Sequence, residues 1–380
     1  MLHNQNEKLT THMPPSLFML IVGVLVALIT SAIATEVTIR FSNAHKLLDR
    51  PNDRSSHTVP TPRLGGIGIA VGLWAGVAAS SAINLSASSL PLLITATMFA
   101  IVGFVDDVLS LKPLLKYAGQ LVATVFFVVL STRNSGQLPW IGITLILFWV
   151  TGFTNAFNFM DGINGLCGGT GILYSVFLAL IAVRLHDTTV TTMSFLLAAA
   201  CTGFLLFNFP HARSFMGDTG SMLIGSGLAV LSVRLIGAGG PRVAFSVLLV
   251  LSAFLFDTSF TIIRRIRCGE NILQAHRTHL YQRLVRGGKS HVEVASLYFA
   301  YHLALGALGV LSVGRSNQLL ISSAFIAASL LVALILYVHR LENHVQTVPD
   351  LHTSIVTPAF PLAATKVERT TADRSSPRSW

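Results

Sequence analysis

With 52% hydrophobic and 11% charged residues over 380 positions, and a mean hydropathy of +0.67, the chain carries under half of the roughly 25% charged content usual for soluble domains. An ordinary soluble enzyme is thereby excluded, and a polytopic membrane protein is expected. The net charge of +10 could suit nucleic acid, but no basic stripe interleaved with aromatics occurs, so no nucleic-acid partner is expected and the cations read as topology signals and as ligands for phosphate or anionic lipid.

Taken in chain order, apolar runs of about 20 residues predict eleven spans, at 15–36, 66–83, 90–109, 113–131, 138–155, 165–184, 190–208, 217–236, 241–263, 294–314 and 317–338. The first follows a polar start, lacks a small-residue cleavage site and reads as a retained helix. An odd number of spans puts the two termini on opposite sides. With the N-terminus outside, every Lys and Arg except Lys8, Arg133, Arg184, Arg234, Arg242 and Arg315 falls in 37–65, 106–116, 208–216, 264–293 or the C-terminal tail. The positive-inside rule then places these segments in the cytoplasm. The expected fold is an all-α polytopic bundle: residues 1–340 form the transmembrane domain, and 341–380, rich in Thr, Ser and Pro, form a disordered cytoplasmic tail. No internal repeat is visible, which argues against a transporter. Cys167, Cys201 and Cys268 have neither metal-ligand nor disulfide spacing and receive no role.

Every polar constellation falls at a cytoplasmic end of these spans. The segment Arg54-Ser-Ser-His57-Thr-Val-Pro60-Thr-Pro62-Arg63 is stiffened by its prolines, and Gly65-Gly66 after it allow close packing or approach to a ligand. Asp106-Asp107 closes the third span. Adjacent carboxylates repel and call for a metal ion or nearby cations; a solvated helix end balanced by Lys112 and Lys116 is the plain alternative. In Asn155-Ala-Phe-Asn158-Phe-Met-Asp161-Gly-Ile-Asn164-Gly165, polar groups end a long apolar run, where they mark either a polar site or a helix-capping turn. Asn208 to Ser221 ends in Phe215-Met-Gly-Asp218-Thr-Gly-Ser. There Asp218 suits a helix N-cap, the most economical reading, and with its flanking glycines and Arg213 nearby it also suits Mg²⁺. The last loop carries Gln274-Ala-His276-Arg277-Thr-His279-Leu-Tyr281-Gln-Arg283-Leu. Arg264 and Arg265 before it read as topology signals, whereas Arg277 can bind phosphate bidentately, and His276 and His279 can donate to it or move protons. No P-loop, zinc helix, dinucleotide fingerprint or serine elbow is present. Four carboxylates and a basic loop on one face point to a membrane enzyme handling a phosphate-rich substrate with Mg²⁺.

These five segments, in this order from Arg54 to about Leu284, resemble the polyprenyl-phosphate N-acetylhexosamine-1-phosphate transferases of glycosyltransferase family 4. That superfamily includes the enzyme forming lipid I and those initiating O-antigen, enterobacterial common antigen and teichoic-acid linkage units. Eleven spans and the His-Arg-Thr-His loop are more similar to the O-antigen-initiating branch than to the lipid I branch, whose loop typically carries three consecutive histidines. The resemblance implies an enzyme of the bacterial inner membrane, with its N-terminus periplasmic and its C-terminus cytoplasmic. It would move N-acetylhexosamine-1-phosphate from a UDP-N-acetylhexosamine to undecaprenyl phosphate and release UMP, as the first membrane step of O-antigen or surface-polysaccharide synthesis. Membrane lipids surround it, and a homodimer is compatible with it.

By the same resemblance Asp218, with Asp107, would hold Mg²⁺, for which Mn²⁺ is a substitute. Asp106, Asp107 and Asp161 would be the catalytic carboxylates, with Asp106 the candidate base for the lipid phosphate. A phosphate monoester with a second pKa near 6 is already mostly dianionic at neutral pH, so that base is not obligatory. Phe215 would stack on uracil, Asn158 and Asn164 would contact the nucleotide, and Arg63, His276, Arg277 and His279 would bind substrate, the last three at its pyrophosphate or sugar. Many relatives carry aspartate where this chain has Asn164; an amide keeps the hydrogen bonds and loses the charge, which favours a nucleotide contact over a metal contact. The alternatives are a lipid I-forming transferase using UDP-MurNAc-pentapeptide and a transporter of lipid-linked or nucleotide sugars.

Overall fold

The computed structural model describes residues 15–49, 51, 59–80, 89–133, 138–271, 274 and 276–347. Arg54 and His57, and the tail beyond residue 347, lie outside the described residues. Helix α1 (Pro15–Ala44) is followed by β1 (Leu48–Asp49) and β2 (Thr61–Pro62), a two-rung antiparallel ladder pairing Leu48 with Pro62 and Asp49 with Thr61. Then come α2 (Gly66–Ser80), α3 (Leu90–Leu109), α4 (Pro113–Thr132), α5 (Trp140–Phe159), α6 (Leu166–Arg184) and α7 (Thr188–Leu205). The chain continues through α8 (Gly217–Arg267), the short α9 (Leu280–Arg286), α10 (His291–Ser312) and α11 (Asn317–Thr347).

Among the described residues, nine helices are long and apolar enough to cross a membrane, and the all-α polytopic expectation holds. The eleven expected spans reduce to nine for two reasons. The expected spans 217–236 and 241–263 lie end to end in the 51-residue α8, broken at Gly240, where φ is +67° and Pro241 follows. A positive φ suits glycine, and proline removes a helix donor, so the break needs both residues. Helix α2 has 15 residues, about 22 Å of rise, short of the roughly 30 Å hydrocarbon thickness. At the other end of the chain α11 continues past residue 340 to Thr347, held in part by an ion pair between Arg283 of α9 and Glu342.

The core lies around α6 and α8. Phe157 of α5 and Tyr174 of α6 pack on Phe254 of α8, with ring centroids 5.3 and 5.9 Å apart. Helix α2 approaches α1 through Gly68, Gly72 and Gly76, where a β-carbon would run into Thr35, Ser31 and Ala27; small residues of this kind let membrane helices touch. The outer faces of α1 and α11 expose Leu25, Ile29, Ile33, Phe325, Ile326 and Val332, as helices bordered by lipid do. The polar junctions named from the sequence gather at one end of this bundle, where α3 and α5 finish and α4, α6 and α8 begin.

Candidate active site

The site is built from helix ends. Helix α3 delivers Asp106 and Asp107 in its last turn, and the turn into α4, which starts at Pro113, folds Lys116 back over them. The Lys116 ammonium sits between two carboxylates, 3.0 Å from Asp106 Oδ2 and in direct contact with Asp218 Oδ2. Asp106 also accepts the Leu111 amide at 2.7 Å. From α5, Asn158 Nδ2 donates to Asp218 Oδ1 at 2.9 Å and to Ser221 Oγ at 2.8 Å. One turn earlier, Gln120 and Asn155 exchange amide hydrogen bonds of 3.2 and 2.6 Å and lock α4 to α5.

Asp107 has a different position from its neighbour. Its carboxylate accepts from the amides of Asp218 and Thr219 at 3.0 and 2.9 Å and from Thr219 Oγ1 at 2.7 Å. It therefore sits on the N-terminus of α8, where the orphan amides and the helix dipole favour an anion. Most of its lone pairs are committed there, so the acidic pair divides its labour: Asp107 fixes the start of α8 and Asp106 faces Lys116 and Asp218. Gly217, at φ +67°, makes the turn over Asp107 and the Arg63 carbonyl, where a side chain would collide with both.

Asp161 lies in the turn between α5 and α6. Its carboxylate makes no hydrogen bond to the described residues, and burial first, then the charges of Asp218 and Asp107, push its pKa up to about 7. Asn164 turns the other way, its amide 3.4 Å from the Pro210 carbonyl. Asn208 joins this turn to the next segment by accepting from the Gly165 amide at 2.7 Å and donating to the Ser214 carbonyl at 2.8 Å. Phe215 is half-buried, its backbone pinned between Pro62 and Gly65. Arg63 is half-buried and makes no ion pair with the described residues. Arg213, placed beside Asp218 by the sequence, turns away to Glu36 of α1, 3.0 Å distant, and lies over the Phe207 ring.

In the last loop His276 and Arg277 are partly open, whereas His279 is buried with its Nδ1 3.2 Å from Asp257. Burial, then the charges of His279 and Arg265, push the His276 pKa down to about 4, so its ring is neutral at neutral pH and serves as a hydrogen-bonding group. The Nη2 of Arg277 is buried without a hydrogen-bond partner among the described residues. Arg265 pairs with Glu270 and donates to the Asn271 carbonyl, Arg264 lies 4.0 Å from Glu270, and the Nε of each is buried without a hydrogen-bond partner among the described residues.

No group of three His, Cys, Asp or Glu side chains is arranged to hold a metal ion among the described residues. Mg²⁺, however, commonly takes only one or two carboxylates and fills its shell with water and substrate phosphates. Asp106 and Asp218, already meeting at one cation, with the Asn158 amide alongside, fit that demand. Sequence reasoning used Lys116 only as charge balance and passed over Asp257. The signal for the second was present, since an acidic residue inside the apolar run 253–256 into Thr258 is costly in a membrane helix unless it has a task.

Fold and site together define a polytopic membrane protein with an acidic cleft at one end of its bundle, its carboxylates gathered around the Lys116 ammonium. The chain matches the Glycosyl transferase family 4 over residues 89–236, and it belongs to that family. A Bacillus subtilis (strain 168) protein named probable undecaprenyl-phosphate N-acetylglucosaminyl 1-phosphate transferase is 31% identical over 72% of this chain and 79% of its own. The decaprenyl-phosphate N-acetylglucosaminephosphotransferase of Mycobacterium leprae (strain TN) is 30% identical over 83% of this chain and 87% of its own. A phospho-N-acetylmuramoyl-pentapeptide-transferase of Listeria innocua is similar at 27% identity, over 77% and 97%.

Proposed function

We propose that the chain transfers an N-acetylhexosamine-1-phosphate from a UDP-sugar to undecaprenyl phosphate at the cytoplasmic face of a bacterial inner membrane, as the first membrane step of a surface polysaccharide such as O-antigen. An oxygen of the lipid phosphate forms a bond to the β-phosphorus of the UDP-sugar; the bond from that phosphorus to the bridging oxygen breaks, and UMP leaves with the electron pair. The names of the B. subtilis and M. leprae relatives support this class of acceptor and of transferred group. The observation that carries the reading is the meeting of Asp106, Lys116, Asn158 and Asp218 at a helix-end cleft, beside Asp161.

Such a site solves two physical problems. The lipid tail must stay in the bilayer while its phosphate meets a soluble nucleotide, which calls for chemistry at a helix end. Two anions must also approach each other, which calls for cations. Asp106 and Asp218 would hold Mg²⁺, which supplies charge neutralisation at the phosphates. Lys116 would then be released toward a phosphate oxygen. Phe215 offers a half-buried ring for uracil, and Arg277, His276 and Arg63 offer donors for the diphosphate. Asp161, its carboxyl pKa pushed up to about 7, can take or give a proton at the acceptor phosphate.

The test is UMP release by purified protein with UDP-GlcNAc, UDP-GalNAc, their 6-deoxy analogues and UDP-MurNAc-pentapeptide, each with and without undecaprenyl phosphate and Mg²⁺. Lipid- and Mg²⁺-dependent release with one hexosamine donor is expected. Release only with the pentapeptide donor would assign the lipid I reaction, which the coverage of the L. innocua relative keeps as the second reading. Sugar movement across proteoliposomes without UMP release would overturn both.

A further inference from the structure

We propose that Asp257 is the positioning residue for the donor nucleotide sugar: through His279 and the first amides of α9 it holds the 276–284 loop so that Arg277 and His276 meet the diphosphate. The inference rests on the transferase reading above.

Asp257 is fully buried in the second half of α8. Its Oδ1 accepts from the Leu280 amide at 2.8 Å, His279 Nδ1 at 3.2 Å and Thr261 Oγ1 at 3.3 Å. Its Oδ2 accepts from the Tyr281 amide at 3.1 Å and Tyr298 Oη at 2.5 Å. These donors come from α8, α10, α9 and the loop entering it, and they fill the lone pairs of one carboxylate. Because a carboxylate only accepts, the His279 proton sits on Nδ1, and ring tautomer and orientation are fixed together.

The consequences run in two directions from that point. Toward the substrate side, the His279 ring lies 5.0 Å from that of His276, and Arg277, two residues back, keeps its buried, unpartnered Nη2. A guanidinium with a buried, unspent donor is what an incoming phosphate oxygen takes up. Toward the bundle, Tyr281 Oη donates to the Phe159 carbonyl at 3.1 Å, at a point where Gly162 leaves no room for a side chain. Tyr281 is thereby braced at both its amide and its hydroxyl, which fixes the start of α9 against the end of α5. Asp257 makes none of the contacts at Lys116, so its influence should fall on the donor and not on the lipid acceptor or the metal.

The experiment compares Asp257→Asn, Asp257→Glu and Tyr298→Phe in full-length protein. Losing the charged acceptor behind the loop should raise the KM for the UDP-sugar and weaken UDP binding about tenfold in Asp257→Asn, the size expected for one charge-assisted hydrogen bond. The KM for undecaprenyl phosphate should stay within about twofold. Asp257→Glu should recover part of the loss, and Tyr298→Phe, which removes one of five donors, should lie between wild type and Asp257→Asn. Independently of turnover, hydrogen exchange across 276–286 should quicken, and the ¹⁵N signature of Nδ1-protonated His279 should be lost. A folded Asp257→Asn with unchanged donor KM and UDP affinity overturns the proposal, as does an equal loss for both substrates, which a merely structural role would give. Should Asp257→Asn fail to fold, the same split in Tyr298→Phe decides. If wild-type protein neither binds UDP nor releases UMP with any donor, the transferase reading fails, while exchange and tautomer measurements still decide whether Asp257 holds the loop.

Discussion

The two ends of the bundle use the same residue types to opposite effect. At the end away from the cleft, Asp187 caps α7 by accepting the Val190 amide at 3.0 Å and pairs with Arg234 Nε at 2.7 Å. Arg184 donates to the Val310 carbonyl at 2.5 Å. One carboxylate there has one helix terminus and one guanidinium of its own. At the cleft, Asp106 and Asp218 share a single ammonium, Asp107 has only helix amides and a hydroxyl, and Asp161 has no hydrogen-bond partner among the described residues. The first arrangement is electrostatically closed, and the second lacks positive charge. Carboxylates crowded by the fold in this way either hold protons, as the raised pKa of Asp161 shows, or take up a cation, which is the role given to Mg²⁺ in the proposed function.

The largest test of this contrast is to remove one carboxylate at each end. Asp218→Ala should lower UMP release about 10³-fold, the scale of losing a principal electrostatic contact to the reacting group, whereas Asp187→Ala should leave the rate within about twofold. Comparable losses from both would dissolve the distinction between the ends.

Lys116→Met sharpens the same point through stability. Without its ammonium, Asp106 and Asp218 face each other unpaired, at a cost of about 2 kcal/mol once partial exposure is allowed for. Mg²⁺ should recover that loss, so the thermal midpoint should rise more on adding Mg²⁺ to the variant than to wild type. An equal rise in both would mean that the metal does not enter between these carboxylates.

Asp161 adds a pH dependence of about tenfold. With its carboxyl pushed from 3.8 up to about 7, the folded protein retains a proton that the unfolded chain has already lost. Its contribution to stability is complete below pH about 4 and is lost as pH rises to about 7. If the ionised form is needed for transfer, kcat/KM should rise about tenfold per pH unit below 7 and level off above it. Asp161→Asn should abolish both slopes, and a rate limb near 7 that persisted in the variant would assign it elsewhere.

Much of this was legible in the sequence, for definite reasons. Hydropathy with a period set by bilayer thickness marks the helices, and polar residues at their ends stand out because the flanking runs are so apolar. The family was legible because five short motifs kept their order from Arg54 to Leu284. Pairings across the bundle were not legible. Nothing in Asp106-Asp107 says that one side chain caps α8 while the other faces Lys116, since a change of one residue turns the side chain by about 100° around a helix. Nor does His276-Arg277-Thr-His279 say that its second histidine is buried against Asp257, because that contact joins residues of separate elements. Arg213 illustrates the converse: proximity in sequence grouped it with Asp218 as part of one polar site, and its side chain instead pairs with Glu36.

The smallest effect expected is also the strictest control on the comparison. Asp187→Asn keeps a side-chain oxygen that can still accept from Val190 and loses only the charge facing Arg234. An asparagine caps a helix about as well as an aspartate, and a partly exposed ion pair contributes at most about 1 kcal/mol. Unfolding free energy should therefore fall by no more than about 1 kcal/mol, with UMP release and its Mg²⁺ dependence unchanged. A change in donor or metal dependence would mean that the two ends communicate through α8, which runs from Asp218 to Arg234 without a break. Because Gly240 interrupts that helix only beyond Arg234, a mechanical route exists, and an unchanged Mg²⁺ titration is the result that closes it.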